Sequence, residues 1–338
     1  MGGGWPLASA PPERDGAVAQ LVRAPACHVG GRGFEPRPLR HPIRETTPPE
    51  QGGVFSCWKV VLVLQSGGVS DSGDSRDPGD LDLRFGGIAR LYGRAALERF
   101  LGARVGVIGI GGVGSWAVEA LARSGIGKLV LVDLDEICVT NVNRQLHAMD
   151  GQIGRQKTEA MAERARAIHP GCEVSVVQGF FNERSAEEIL GMGFDGVIDA
   201  IDSLGHKALL SAECRRRGIP LVLCGAAGGR RDATRIRVTD LARSGKDPML
   251  QQLRRRLREQ YGFPKTKMGT DPELLGIDAV YSDEKALFPQ CDGTVSTERP
   301  EGAELRLSCE SGYGTATHVT AAFGLVAAGR MLERLAGG

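Results

Sequence analysis

None of the eight cysteines belongs to a C-x-x-C pair. That spacing excludes a zinc ribbon, and the scatter of the thiols suggests no disulfide framework. A reducing cytoplasm is the simplest setting for such a chain. Excess charge is missing too: 42 Lys and Arg against 41 Asp and Glu leave a formal net charge of +1. The total therefore argues neither for nor against nucleic acid, and only local patches can. Long apolar runs are also absent. Val60–Leu64 is too short to span a bilayer, and the opening residues carry no signal-peptide pattern. The uncharged stretch between His318 and Arg330 also falls short of a span, although it leaves a peripheral membrane association open. What the chain does have is core material: 41% of its 338 residues are hydrophobic, enough for one or two domains.

Residues 1–80 differ from the remainder, being rich in Gly, Pro, Ser and Arg with apolar residues in short pieces, and are expected to be disordered. Ala17–Arg23 and the residues through Gly33–Arg37 resemble the conceptual translation of a tRNA gene. The expectation is a mis-annotated extension, with the protein proper beginning between residues 54 and 83; a native tryptic peptide from before Arg37 would refute it. Residues 81–338 read as one globular domain with a C-terminal subregion from about 240.

The organising stretch runs from Arg104 to Lys157. An apolar run, Val105–Ile108, turns into Gly109-Ile110-Gly111-Gly112-Val113-Gly114, and an alanine-rich helical segment follows. A second apolar run, Leu129–Val132, ends in Asp133-Leu134-Asp135. Strand, glycine turn, helix and acidic strand tip together predict a nucleotide site. A β-carbon at Gly111 or Gly112 would hold phosphates away from the backbone N–H groups. The helix beginning near Gly114 aims its dipole at the same place, and Asp133 is placed to accept from a ribose. Asn143, Arg144, Gln145 and Lys157 come next. A redox dinucleotide has no need of these, whereas ATP cleavage requires cations around the departing pyrophosphate.

Further along, Arg155–Ile168 reads as a helix and Glu173–Val177 as a strand. Ala186–Leu190 reads as a short helix, and Asp195–Asp202 as a strand ending in two carboxylates. Asp202, with Asp199 second, is positioned for Mg²⁺, which prefers oxygen ligands; a helix cap by Asp202 or Ser203 is the plainer role. Ile219–Cys224 is a strand before the small-residue loop Gly225–Gly229. Arg230, Arg231, Arg235 and Arg237 alternate in a strand-like way, and Arg254, Arg255, Arg256 and Arg258 lie in a helix, with Lys265 and Lys267 beyond. Such a run is either a solvated face or a phosphate-contacting patch. Ala89–Leu101 has helical spacing, with Leu91, Ala95, Leu97 and Leu101 expected inside. Residues 268–306 read as loops and short strands, and Tyr313–Leu335 as a buried helix.

Gly109–Ser115, Asp133–Asp135, Asn141–Gln145, Lys157 and Asp199–Asp202 together resemble the adenylating domain of the ubiquitin-activating-enzyme-like (ThiF/MoeB/HesA) superfamily. Arg84–Gly93, Asn141–His147, Val197–Ser203, Val238–Asp240, Phe288–Gln290 and Asp292–Thr294 narrow the likeness to its tRNA threonylcarbamoyladenosine dehydratases, over about Leu83–Leu335. The resemblance implies an α/β, Rossmann-like ATP-binding fold with a largely parallel sheet and a C-terminal extension. It implies ATP and Mg²⁺, leaves a monovalent cation open, and implies a tRNA substrate, a homodimer and a cysteine desulfurase system as partner. In relatives an arginine before the glycine strand reaches the partner's ATP site; here that position falls on Gly87, flanked by Arg84 and Arg90. Some relatives use a cysteine to receive the activated carboxylate. Nothing around Cys291 or Cys309 suggests a depressed thiol pKa, and small buried hydrophobes are the plainer reading. By resemblance, Gly109, Gly111, Gly112 and Gly114 line the phosphates and Asp133 holds the ribose. Arg144 and Lys157 carry phosphate charge, Asn143 and Gln145 orient the nucleotide, and Asp202 binds Mg²⁺.

Three other functions stay open. An activator of a sulfur-carrier or ubiquitin-like protein would use the same adenylation on a protein C-terminus, but paired C-x-x-C ligands common in those relatives are absent. An NAD-dependent oxidoreductase is favoured by the glycine fingerprint alone. A noncatalytic tRNA-binding module would bind without ATP dependence.

Overall fold

The structure is a computed structural model and describes residues 78–265, 270–290, 292–299 and 313–337. Most of the expected N-terminal extension, Val60–Leu64, Lys267, Cys291 and Cys309 lie outside the described residues.

Two helices open the described chain, α1 (Pro78–Tyr92) and α2 (Arg94–Gly102). The expected single helix over Ala89–Leu101 is broken at Gly93, whose φ of 92° lies in a region that ends a right-handed helix. The break changes the buried face: Leu91 is 75% exposed, while Ala96, Leu97 and Phe100 turn inward.

The sheet follows in alternation with helices: β1 (Arg104–Ile108), α3 (Gly114–Arg123), β2 (Lys128–Val132), α4 (Lys157–Ile168), β3 (Glu173–Val177) and α5 (Ala186–Leu190). Then come β4 (Gly196–Asp199), α6 (Leu204–Arg217), β5 (Leu221–Cys224), β6 (Ile236–Asp240), α7 (Pro248–Gln260) and β7 (Asp278–Ser282). A small hairpin, β8 (Phe288–Pro289) with β9 (Val295–Ser296), precedes the C-terminal helix α8 (Thr317–Ala336). The seven-stranded order is β3-β2-β1-β4-β5-β7-β6, and every pair is parallel except β6 with β7.

Near-continuous apolar strands are what a parallel sheet covered on both faces demands. Val105, Val107, Leu129 and Leu131 pack with α2, α3, α4 and α8 on one face. Ile108, Val130, Val132 and Leu223 pack with α5, α6 and α7 on the other. The order in which successive strands are added reverses between β1 and β4, which themselves run parallel, and open α/β sheets bind ligands at such a switch point, outside the strands' C-terminal ends.

β7, β8 and β9 are the short strands expected, with loops, over residues 268–306, and β7 is more than a cover for the site. Its Ala279 and Val280 are fully buried between β5 and β6, so this segment belongs to the sheet itself. The basic alternation also yields only a short edge strand, because Arg230 and Arg231 precede β6 and Arg230 is buried. No helix among the described residues is long and apolar enough to cross a membrane.

Candidate active site

A cavity of about 810 Å³ opens where the strand order reverses. The glycine turn forms its floor. Gly109 leaves β1 with φ 92°, and an added Cβ would stand 2.8 Å from the Ala200 carbonyl oxygen, so both conformation and space require glycine. At Gly114 the added atom would drive into the carbonyl of Gly109. At Gly112 it would press on the Arg144 side chain, with Cγ at 3.2 Å. Gly111 is different, since the nearest atom to an added Cβ is Gln145 Nε2 at 3.8 Å. Gly111 lines the cavity, so its missing side chain leaves room for a ligand.

Two substitutions should therefore separate. Gly114→Ala is expected to cost about 1–3 kcal/mol in folding, since the backbone must shift. Gly111→Ala should leave the melting temperature unchanged and weaken ATP binding about tenfold. Thermal unfolding and ATP titration on both variants check this; equal loss of stability in the two would refute it.

Asp133 ends the neighbouring strand and holds the turn in place. Its Oδ2 accepts from Ile110 N at 2.6 Å and its Oδ1 from Asp135 N at 2.8 Å. Burial raises the pKa of this carboxyl above the usual range, against the opposing charge of Lys157 and the two backbone donors. His147 braces the same turn from behind, with Nε2 2.9 Å from Ile110 O and a pKa lowered by burial. Because that oxygen can only accept, Nε2 carries the proton.

Lys157, at the first position of α4, is only 6% exposed. A lysine in a first turn is ordinarily solvated; this one turns inward, its Nζ 2.7 Å from Asp135 Oδ2, and lines the cavity. Arg144 also lines it, donating from one guanidinium nitrogen to Thr140 O at 2.8 Å and Asn143 Oδ1 at 2.9 Å. Asn143 Nδ2 donates to Thr315 O at 2.9 Å, and Thr317 Oγ1 donates to Asn143 O at 2.6 Å. Trp116 Nε1 donates to Arg144 O at 3.2 Å. The segment carrying Arg144 is thus pinned between α3 and the start of α8. Asn143 commits its amide to the protein, which makes it a brace for this segment. Gln145 is buried along the cavity wall, and its Oε1 has no hydrogen-bond partner among the described residues.

The two carboxylates after β4 part company. Asp202 lines the cavity, whereas Asp199 is fully buried and does not. Asp199 Oδ1 accepts from Ile201 N at 2.9 Å and lies 2.8 Å from Nζ of Lys207, which is also fully buried. This corrects the expectation of Asp199 as a second Mg²⁺ ligand: its charge is already met by Lys207, and it faces the core. Ser203 occupies the cap position of α6 but makes no side-chain cap bond, so the helix-cap alternative also fails for it. One carboxylate at the cavity still fits Mg²⁺, which keeps several waters and takes one or two carboxylates plus substrate phosphates.

Sequence reasoning missed Phe180, His206, Tyr313 and Thr315, which also line the cavity. No local pattern marks them, because they arrive from loops after β3, α6 and the residues before α8. The arrangement, a glycine turn and helix N-terminus facing two cations at the cavity wall, an acid at the strand tip and a second carboxylate at Asp202, defines a nucleotide-binding α/β protein equipped for phosphate cleavage.

Comparison with known proteins agrees. Residues 87–337 match the ThiF family, and the chain belongs to it. It is 50% identical over 254 residues to tRNA threonylcarbamoyladenosine dehydratase of Escherichia coli (strain K12), covering 75% of this chain and 93% of that protein. The Haemophilus influenzae protein of the same name is 46% identical over 257 residues, covering 75% and 94%. The solved structure of the E. coli tRNA N6-threonylcarbamoyladenosine dehydratase, TcdA, in complex with ATP superposes with a TM-score of 0.67. It is 45% identical and covers 77% of this chain and 96% of that one. The same enzyme in complex with AMP gives 0.66 at 46% identity, with the same coverage.

Proposed function

We propose that this chain is an ATP-dependent dehydratase that cyclises threonylcarbamoyladenosine beside the anticodon of tRNA. The observation that carries the reading is the near-full-length likeness to such dehydratases, one of them solved with ATP and with AMP. Chemically, a carboxylate oxygen of the modified base attacks the α-phosphorus of ATP, the α–β anhydride bond breaks, and pyrophosphate leaves. A nitrogen of the same side chain then attacks the acyl carbon. AMP departs with the former carboxylate oxygen, and the nitrogen's proton passes to solvent. The ring product is lighter by one water.

The second step is intramolecular, so the protein's work is positioning and charge stabilisation. The glycine turn seats the phosphates against backbone N–H groups, and Asp133 accepts from the ribose. Arg144 and Lys157 face the charge that grows on the leaving pyrophosphate. Asp202 is the residue to hold Mg²⁺, which would neutralise phosphate charge. Asp202→Asn should therefore raise the Mg²⁺ concentration needed for half-maximal turnover at least severalfold, with ATP binding in EDTA unchanged; an unaltered Mg²⁺ titration would remove Asp202 from this role.

The reading also carries a homodimer acting in the cytoplasm. Arg84 is tied to Asp80 at 2.6 Å and to Ile168 O at 3.3 Å. Arg90, exposed beside Gly87, is the better residue to reach a partner's cavity. A cysteine desulfurase partner rests on the resemblance alone, and co-purification tests it. The function itself is tested by mass analysis of tRNA nucleosides from a deletion strain with and without complementation. In vitro, pyrophosphate release should require ATP and modified tRNA and should not occur with a carrier peptide ending in Gly-Gly. Turnover with the peptide would move the chain to the carrier-activating class, and bound NAD without ATP turnover to the oxidoreductases.

A further inference from the structure

We propose that a groove beside the nucleotide cavity is the track on which the unpaired anticodon loop of the substrate tRNA lies. The proposal rests on the dehydratase reading and adds the surface that reading leaves unspecified. The groove, of about 520 Å³, runs between the loop after β3, the first turns of α6 and the end of α7. His206 lines both the groove and the nucleotide cavity, so the two concavities share a wall. A strand lying in the groove therefore leads a base directly towards the phosphates.

Single-stranded RNA asks for cations along its backbone and aromatic faces for its unstacked bases. The groove supplies both. Arg184 and Arg256 line it, and Glu183 is the one carboxylate among its described lining residues. The Arg184 guanidinium has no protein partner among the described residues, where only its backbone N–H is bonded, to Asn182. Arg256 commits Nε to Gln260 at 3.1 Å, leaving its terminal nitrogens without a protein partner. Tyr261, 37% exposed, stands in the groove, and Phe180, 47% exposed, stands at the cavity on the loop that continues into Arg184.

The rest of the arginine run is already engaged. Arg254 is bonded to Ser244 Oγ, Arg255 is ion-paired to Glu259 at 2.8 Å, and Arg258 donates to Pro264 O at 3.1 Å. The patch anticipated from consecutive arginines therefore reduces to one member, Arg256, joined by Arg184 from a distant part of the chain.

The test compares full-length wild type, Arg184→Ala/Arg256→Ala and Arg255→Ala. The double variant should bind modified tRNA at least tenfold more weakly. Its log–log salt slope should be shallower by about 1.4, two phosphate contacts at about 0.7 each. ATP affinity and turnover at saturating tRNA should stay as in wild type, and Arg255→Ala should match wild type throughout. A lysine pair at the same two positions should recover part of the salt slope, which a purely structural role would not. Wild-type-like tRNA affinity and slope in the double variant would overturn the groove while leaving the dehydratase reading intact. Wild type that neither binds nor turns over modified tRNA would overturn both.

Discussion

Replacing Lys157 with alanine is expected to lower ATP-dependent turnover of modified tRNA by about 10²–10³-fold, or about 2.7–4 kcal/mol of barrier. The size follows from where the ammonium sits. It is nearly sealed from solvent and held by Asp135 at the cavity wall, so its field acts in a medium that screens poorly. Pyrophosphate gains charge as the α–β bond breaks, and a fixed cation there favours the transition state over bound ATP. The loss should thus appear in kcat more than in ATP affinity. Folding should change little, because the partner Asp135 keeps 56% of its side chain in solvent and does not become a buried orphan. Steady-state kinetics beside a thermal melt separate the two effects. A variant that unfolds early but turns over normally when folded would show that Lys157 is only an anchor for the strand tip.

That lysine also marks where sequence stops being informative. The strands β1, β2 and β5 were legible because a doubly covered parallel strand is a short apolar run, the edge strand β3 through its valines, and the glycine turn because only glycine fits at Gly109 and Gly114. Burial of a charge is not written locally. Lys157 in a first turn and Lys207 within a helix both look like solvated surface lysines; each is turned inward by a carboxylate from another element. That β7, one of the short strands expected there, lies inside the main sheet was hidden for a related reason. It is five residues long, headed by Asp278 and ended by Ser282, and its apolar pair becomes core only once β5 and β6 flank it. Asp278 itself is held by Arg330 and Arg334 of α8, at 3.0 and 2.7 Å. These two contacts of Asp278 span more than fifty residues, which no window along the chain contains.

Lys207→Met should be the most destabilising single change considered, at about 3–5 kcal/mol near neutral pH, because it strands the fully buried Asp199 carboxylate. In the wild type, burial already raises the pKa of Asp199 above its ordinary 3.8, and Lys207 opposes that rise. Without the ammonium the folded-state pKa climbs further while the unfolded value stays ordinary. Between those two values the unfolded chain releases a proton that the folded chain keeps, so stability falls as pH rises through the window from about 3.8 upward. The deficit against wild type should therefore be small below the ordinary carboxyl range and grow towards neutrality. Lys207→Met/Asp199→Asn should recover much of it, since a neutral amide needs no counter-charge. Function should follow through geometry: Asp199 Oδ1 fixes Ile201 N, and Asp202 enters the cavity one residue later. Denaturant midpoints for the two variants across pH decide the matter; a deficit independent of pH would mean that the lysine contributes packing and not charge.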